Sequence, residues 1–147
     1  MNPTGRAILS GGLVAGTIDI GAAALINHLS PVVILHAIAS GVLGKASFQA
    51  GAPAAWLGLG LQWAMSLLIA AIFAAAATRM AWLRNRWLLA GLAYGVAIYV
   101  VMNYVVVPLS AAPFRAPATP WLIAMNLLAM LLFGLIVAFS ARKAARA

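Results

Sequence analysis

Hydrophobic positions along this chain form four long, nearly unbroken runs. They cover residues 7–29, 54–78, 87–107 and 121–140. An α-helix needs roughly 20 apolar residues to cross the hydrocarbon core of a bilayer, and each run meets that length. The segments between the runs are too short for a second folded unit. The pattern predicts an all-α polytopic membrane protein with a single membrane domain over residues 1–147, built as an antiparallel bundle of four transmembrane helices.

The segment between the first two runs predicts a further, shorter helix. Ser30 and Pro31 favour a helix start, because serine caps a helix and proline fits its first turn. About twelve apolar residues follow, which are too few to span a bilayer. Gly44, Gly51 and Pro53 then interrupt the helix. We expect a short helix over residues 32–43 packed on the outer face of the bundle, with a re-entrant hairpin as the alternative.

Composition supports a membrane protein. Hydrophobic residues make up 66% of the chain and charged residues 7%, whereas soluble domains carry about a quarter charged residues. The chain contains no cysteine, which excludes disulfides, thiolate metal sites and cysteine nucleophiles.

The formal net charge of +8 is distributed unevenly between the two sides of the predicted bundle. On one side lie Arg6, Arg79, Arg84, Arg86, Arg142, Lys143 and Arg146, and on the other only Lys45 and Arg115. The positive-inside rule therefore predicts that both termini are cytoplasmic. Because basic clusters beside a membrane attract anionic headgroups, the charge does not call for nucleic acid as a partner. Arg79, Arg84 and Arg86 are the expected headgroup contacts.

Each predicted span carries a stripe of small or polar residues at helical spacing. Such stripes are typical of helix–helix contacts in membranes, where lipid does not drive helices together. We expect close packing at Gly12 and Gly16, which form a GxxxG pair, and at Gly91 and Gly95. Small-residue faces of this kind also allow a homo-oligomer or a membrane protein partner.

The only acidic residue, Asp19, lies inside the first run, about 15 Å below the outer surface at 1.5 Å per residue. We expect further polar side chains to line the way outward from it, making a column that opens to the outer side. The members are Gln62, Tyr99, Asn103 and Asn126, with Asn27, His28 and His36 near its mouth. Asn103 and Asn126 are at similar predicted depth, so a hydrogen bond between their helices is expected.

Two interpretations of Asp19 remain open. A central aspartate costs on the order of 2.5–3.5 kcal/mol on insertion scales, so intramembrane carboxyls are candidates for function. With no Lys or Arg inside any span, Asp19 is expected to hold its proton, because low dielectric disfavours the charged form. It then either binds a proton or cation in a small transporter- or channel-like protein, or donates a hydrogen bond to Gln62, Tyr99 or a backbone carbonyl that only joins helices. In the second case the protein is a structural or accessory membrane subunit.

Enzymatic and metal-binding functions are not expected. Catalysis generally needs convergent groups of different roles, and the column offers one carboxyl among amides. Asp19 and His28 lie nine residues apart, about 13 Å along a helix, which is too far for a catalytic pair. His28 and His36 have no third ligand nearby in the sequence. We expect no cofactor and no metal.

Three stretches of the chain together resemble a group of small, uncharacterised bacterial inner-membrane proteins. They are AGTIDIGAA, SPVVILHAIASGVLGKASFQAG and YGVAIYVVMNYVVVPLS, in that order. The resemblance covers most of residues 11–110 and implies a four-helix protein of the bacterial cytoplasmic membrane. The group has no established activity, so the resemblance implies no function. Small multidrug transporters also place an acidic residue in the first of four helices, but their glutamate motif is not present in this chain.

Overall fold

The computed structural model describes residues 1–115 and 119–146, and these are helical with no β-strand. The α-helices are α1 (Pro3–Asn27), α2 (Pro31–Leu43), α3 (Ala52–Arg79), α4 (Ala81–Asn85), α5 (Trp87–Val101), α6 (Val107–Leu109) and α7 (Pro120–Ala145). A 3₁₀ segment (Gly44–Gln49) follows α2, and a π-helical segment (Met102–Val106) joins α5 to α6.

Five helical segments are long and apolar enough to cross a membrane: Pro3–Asn27, Pro31–Gln49, Ala52–Arg79, Trp87–Leu109 and Pro120–Ala145. The all-helical class and the membrane character agree with the sequence prediction. The count by length and composition is five where the sequence predicted four. The additional segment, Pro31–Gln49, consists of α2 and the 3₁₀ turns that follow it.

Pro31–Gln49 is folded back on itself. In a straight helix two residues eleven apart would be separated by about 16 Å. In the structure, the Ser47 hydroxyl donates to the His36 carbonyl oxygen over 2.6 Å, and His36 Nδ1 lies 2.7 Å from the Ser47 carbonyl oxygen. The reversal starts at Gly44, whose φ of +65° is a left-handed value that favours glycine. The segment is therefore a short helical hairpin.

The hairpin packs on the ends of α1 and α3. Ile34 forms a small apolar cluster with Ile20 and Ala24 of α1. The backbone of α2 passes so close to α3 at Gly58 that a Cβ there would overlap the Leu35 carbonyl group. The helix start is the predicted one, since the Ser30 hydroxyl accepts a hydrogen bond from the Val33 amide.

The far end of α2 contacts the chain just after α6. The Ala111 amide donates to the Gly41 carbonyl oxygen over 2.9 Å, and a Cβ on Gly41 would lie 3.8 Å from the Ser110 Cβ. Disulfides have a mean Cβ–Cβ distance of about 3.8 Å. We therefore expect the Gly41→Cys/Ser110→Cys protein, which has no competing cysteine, to form an intramolecular disulfide under mild oxidation, measured by thiol alkylation and mass spectrometry.

Val42→Cys/Ser110→Cys is the matched control for that disulfide, because Val42 is the next residue and its side chain is exposed. Cross-linking should be much weaker in this control pair. Equal yields in both pairs, or no disulfide in either, would contradict the docking of α2 on this end of the bundle.

The remaining long helices form the bundle, in which α1 packs on α3 and α7, and α7 packs on α5. The core at these contacts consists of aromatic side chains set among alanines, including Phe73, Phe133 and Ala138. The helices pack through close contact between their backbones, and large side chains contribute less. At the α5–α7 crossing, a Cβ on Gly134 would overlap the backbone of Gly91 and Gly95.

The helix ends differ in detail from the predicted bounds. The first helix begins at Pro3, four residues earlier than expected, because the Asn2 side chain accepts from the Gly5 amide over 2.7 Å and caps it. It ends at Asn27, where His28 adopts a left-handed conformation with φ of 54°.

The helix that begins at Trp87 continues past the predicted end, through the π segment to Leu109. Pro108 has no backbone N–H and cannot donate a helical hydrogen bond. The helix accommodates it through the π-helical turn over Met102–Val106 that precedes it. The prolines at positions 108, 113, 117 and 120 predict an extended strap without regular structure between the last two apolar runs. The structure shows no helix over residues 110–115, and residues 116–118 of the predicted strap lie outside the described residues.

The two ends of the bundle have unequal charge. At one end, Arg84 of α4 lies with Thr4 of α1, Thr78 of α3 and Ala141 of α7 around a small cavity. This end, called the basic end below, carries the cations at the start of α1, around α4 and at the end of α7. At the opposite end, α2 meets the residues that follow α6.

Candidate functional site

Asp19 lies about two thirds of the way along α1, where α1 packs on α3. It is eight residues, about 12 Å, from the end of α1 at Asn27, and its side chain is partly exposed. The Gln62 side-chain amide donates to Asp19 Oδ2 over 2.9 Å and to the Gly16 carbonyl oxygen over 3.1 Å. One amide group therefore binds both the carboxyl and the backbone of the neighbouring helix.

Glycines on α1 allow Gln62 to come this close. A Cβ on Gly16 would overlap the Ser66 side chain of α3, and one on Gly12 would lie 3.0–3.1 Å from atoms of Ser66 and Leu67. At such a separation a glutamine side chain spans the gap between the helices. The GxxxG pair thus lies at the α1–α3 contact and brings Gln62 within hydrogen-bond distance of Asp19.

The other predicted members of the column do not bond to Asp19. Asn103 donates to the Tyr99 carbonyl oxygen over 3.0 Å, and Asn126 donates to the Leu122 carbonyl oxygen over 2.8 Å. Each amide therefore bonds to its own helix, four residues back, and the expected Asn103–Asn126 hydrogen bond between helices is wrong for the described structure. An asparagine in a helix reaches this carbonyl without needing a second helix in place.

Tyr99 is buried, and its hydroxyl has no hydrogen-bond partner among the described residues. Its ring contacts Tyr104 edge-on, with ring centroids 6.5 Å apart. The structure therefore joins Asp19 to Gln62 and does not bring Tyr99, Asn103 or Asn126 into the same hydrogen-bond network.

The two histidines take separate structural positions. His28 is exposed and caps α1, while His36 closes the hairpin through Ser47. Asn27 donates to the Ala23 carbonyl oxygen of its own helix over 2.9 Å. Within residues 1–115 and 119–146, no cluster of three or more His, Cys, Asp or Glu side chains is placed to hold a metal ion.

Sequence reasoning missed the contact between α5 and α3 at Tyr94. The Tyr94 hydroxyl donates to the Ile69 carbonyl oxygen over 2.7 Å, and its ring lies 5.1 Å from that of Phe73. Tyr94 follows Gly91 by three residues, which is a helical spacing. That spacing could have indicated Tyr94 as a residue at a helix contact. The sequence analysis instead followed the four-residue spacing of Gly91, Gly95 and Tyr99, and so chose Tyr99.

A second missed contact lies beside Asp19. The Trp63 indole donates to the Thr17 hydroxyl over 3.2 Å at the exposed edge of the α1–α3 contact. Together with the Gln62 bonds it makes this contact the most polar part of the described bundle away from its two ends.

The arginines predicted to contact headgroups lie around α4. Arg79 and Arg86 are exposed, and Arg84 is partly buried beside α1 and α7. On the same end, the Arg142 guanidinium lies 5.4 Å from the ring centre of Trp87. Cation–π contacts of this kind are favourable by about 0.5–1 kcal/mol at exposed sites. None of these side chains forms an ion pair in the described part of the chain, since the single carboxyl of the sequence bonds to Gln62.

The site therefore consists of one carboxyl within α1, one amide that holds it, and close-packed glycines that set the distance between them. No protein-family model, no curated protein and no solved structure matches this chain.

Proposed function

We propose that the protein is a small transporter- or channel-like membrane protein, not an enzyme, in which Asp19 binds a proton or a cation. The proposal rests on the position of the Asp19 carboxyl and on its hydrogen bond. This carboxyl is the only acidic side chain in the sequence, lies inside a membrane-length helix eight residues from the nearer end, and is hydrogen bonded to a neutral amide through one oxygen.

The hydrogen-bond partner of Asp19, the Gln62 amide, is compatible with binding of a proton or cation by the carboxyl. An arginine or lysine would neutralise the carboxylate permanently, whereas an amide N–H orients one oxygen and leaves the charge to be balanced by a proton or cation. Asp19 is only partly buried at the α1–α3 contact, so the neighbouring helices do not cover the residue completely. A carboxyl retained at this depth despite its insertion cost fits a binding role.

The topology that goes with this proposal has four spans, formed by α1, α3, α5 through α6, and α7. The α2 hairpin then lies on the outer side, and the basic end with both termini faces the cytoplasm, as the excess of Lys and Arg favours. Together with the resemblance of three stretches to bacterial inner-membrane proteins, this supports a bacterial cytoplasmic membrane as the location.

A second candidate function is a structural or accessory membrane subunit that binds a second copy or another membrane protein. The observation in its favour is that Gln62 also donates to the Gly16 carbonyl oxygen, so the pair joins α1 to α3 whether or not the carboxyl binds anything. Intramembrane hydrogen bonds of this type are typically favourable by about 0.6 kcal/mol.

Infrared difference spectroscopy of the protein in lipid tests whether the carboxyl exchanges protons with water. We expect a carboxyl band that changes with the pH of the medium and is missing from Asp19→Asn. The substitution keeps the shape of the side chain and an oxygen that accepts from Gln62. A carboxyl band that stays constant over the accessible pH range would contradict the proton-binding role and favour the structural subunit.

A further inference from the structure

A groove lies between α1 and α7 at the basic end, and its lining does not include Asp19 or Gln62. It encloses about 880 Å³. Val14 of α1 and Leu135 and Phe139 of α7 contribute apolar lining, and Trp87 of α5 contributes its ring. The groove is therefore an apolar channel along two helices at the level where the protein meets the membrane surface.

Two cations lie at the mouth of this groove. Arg6 comes from the first turns of α1 and Lys143 from the last turns of α7, and both are exposed. The one acidic side chain of the sequence bonds to Gln62, so among the described residues neither cation pairs with an acidic side chain. An anionic ligand would be electrostatically complementary to the mouth of the groove.

The distances along the helices match one leaflet of a bilayer. Arg6 and Val14 are eight residues apart on α1, and Lys143 and Leu135 are eight apart on α7, so each wall extends about 12 Å inward from its cation. Half of a hydrocarbon core is about 15 Å thick. With the basic end at the membrane surface, as in the proposed topology, the cations would lie at headgroup level and the apolar walls at the level of the acyl chains.

We propose that this groove binds one anionic diacyl phospholipid. Its phosphate lies between Arg6 and Lys143, and an acyl chain lies along Val14, Leu135 and Phe139. The ion pairs select lipids with net negative charge, because a zwitterionic lipid brings its own cation to the phosphate. The proposal does not depend on Asp19, so it stands or fails separately from the proposed transport activity.

Native mass spectrometry of the delipidated full chain tests the site by titration with dioleoylphosphatidylglycerol and, for comparison, dioleoylphosphatidylcholine. We expect one tightly bound phosphatidylglycerol and weaker, unsaturated binding of phosphatidylcholine. The Arg6→Gln/Lys143→Gln protein should lose affinity for phosphatidylglycerol by about fivefold per cation. The matched control is Lys45→Gln/Arg115→Gln, which removes two exposed cations outside the groove lining, and it should retain the affinity.

A second pair of variants tests the apolar part of the groove without changing charge. Val14→Trp fills the groove and should weaken phosphatidylglycerol binding, while Val96→Trp, at an exposed position outside the groove lining, should not. Equal loss in both charge variants would show binding to surface charge in general and would overturn the site. A stable dimer of the delipidated protein that Val14→Trp dissociates would also overturn it, because the groove would then be covered by a second copy.

Discussion

Replacing Gly134 with alanine should destabilise the protein by about 1–3 kcal/mol, the usual range for overpacking a tight core. An added Cβ at Gly134 would overlap the Gly91 carbonyl oxygen and the Gly95 backbone. These are backbone atoms, so they cannot move aside by a change of rotamer, and α5 and α7 would have to separate. Thermal unfolding in detergent, followed by circular dichroism, measures the effect.

Gly60→Ala and Gly21→Ala are the controls for that prediction. Both glycines lie within long helices, and a Cβ at either position meets nothing within 4 Å. Alanine is a better helix former than glycine by about 0.8–1.0 kcal/mol, so the controls should be neutral or slightly stabilising. A loss of stability in Gly60→Ala equal to that in Gly134→Ala would show that the close crossing of α5 and α7 does not limit the packing.

The Asp19→Asn protein should fold normally and lose ion flux to the level of vesicles without protein. The asparagine oxygen can still accept from Gln62, so the α1–α3 contact remains, but the group no longer takes up a proton or balances a cation. Flux is measured in proteoliposomes with an internal pH-sensitive dye, under an imposed potential, for protons and for monovalent cations in turn.

Thr17→Val is the matched control for the flux measurement. Thr17 is two residues from Asp19 and accepts from Trp63 at the same helix contact, so this variant removes a nearby polar contact and leaves the carboxyl in place. Its flux should resemble that of the unmodified protein. Unchanged flux in Asp19→Asn would reject the transport role. If Asp19→Leu then also lowered the unfolding temperature, Asp19 would belong to the structural alternative.

Sequence reasoning located the acidic residue and named Gln62 among its possible hydrogen-bond partners, but it did not choose between Gln62 and Tyr99. Gln62 and Tyr99 were both candidates, because their predicted depths are similar and a linear pattern does not say which helices are neighbours. The structure selects Gln62 because α1 and α3 approach closely at Gly12 and Gly16. Tyr99, on α5, makes no such bond among the described residues.

Hydrophobicity and charge act residue by residue along the chain. The amino-acid pattern alone therefore predicted the membrane character, the all-helical class, the helix start at Ser30 and one acidic residue inside a long helix. Three features required the tertiary structure. They are the reversal after α2, the hydrogen bond of Gln62 to Asp19, and the groove between α1 and α7. Each depends on which backbones come within a few ångströms of one another, and that distance is set by contacts between residues far apart in the sequence.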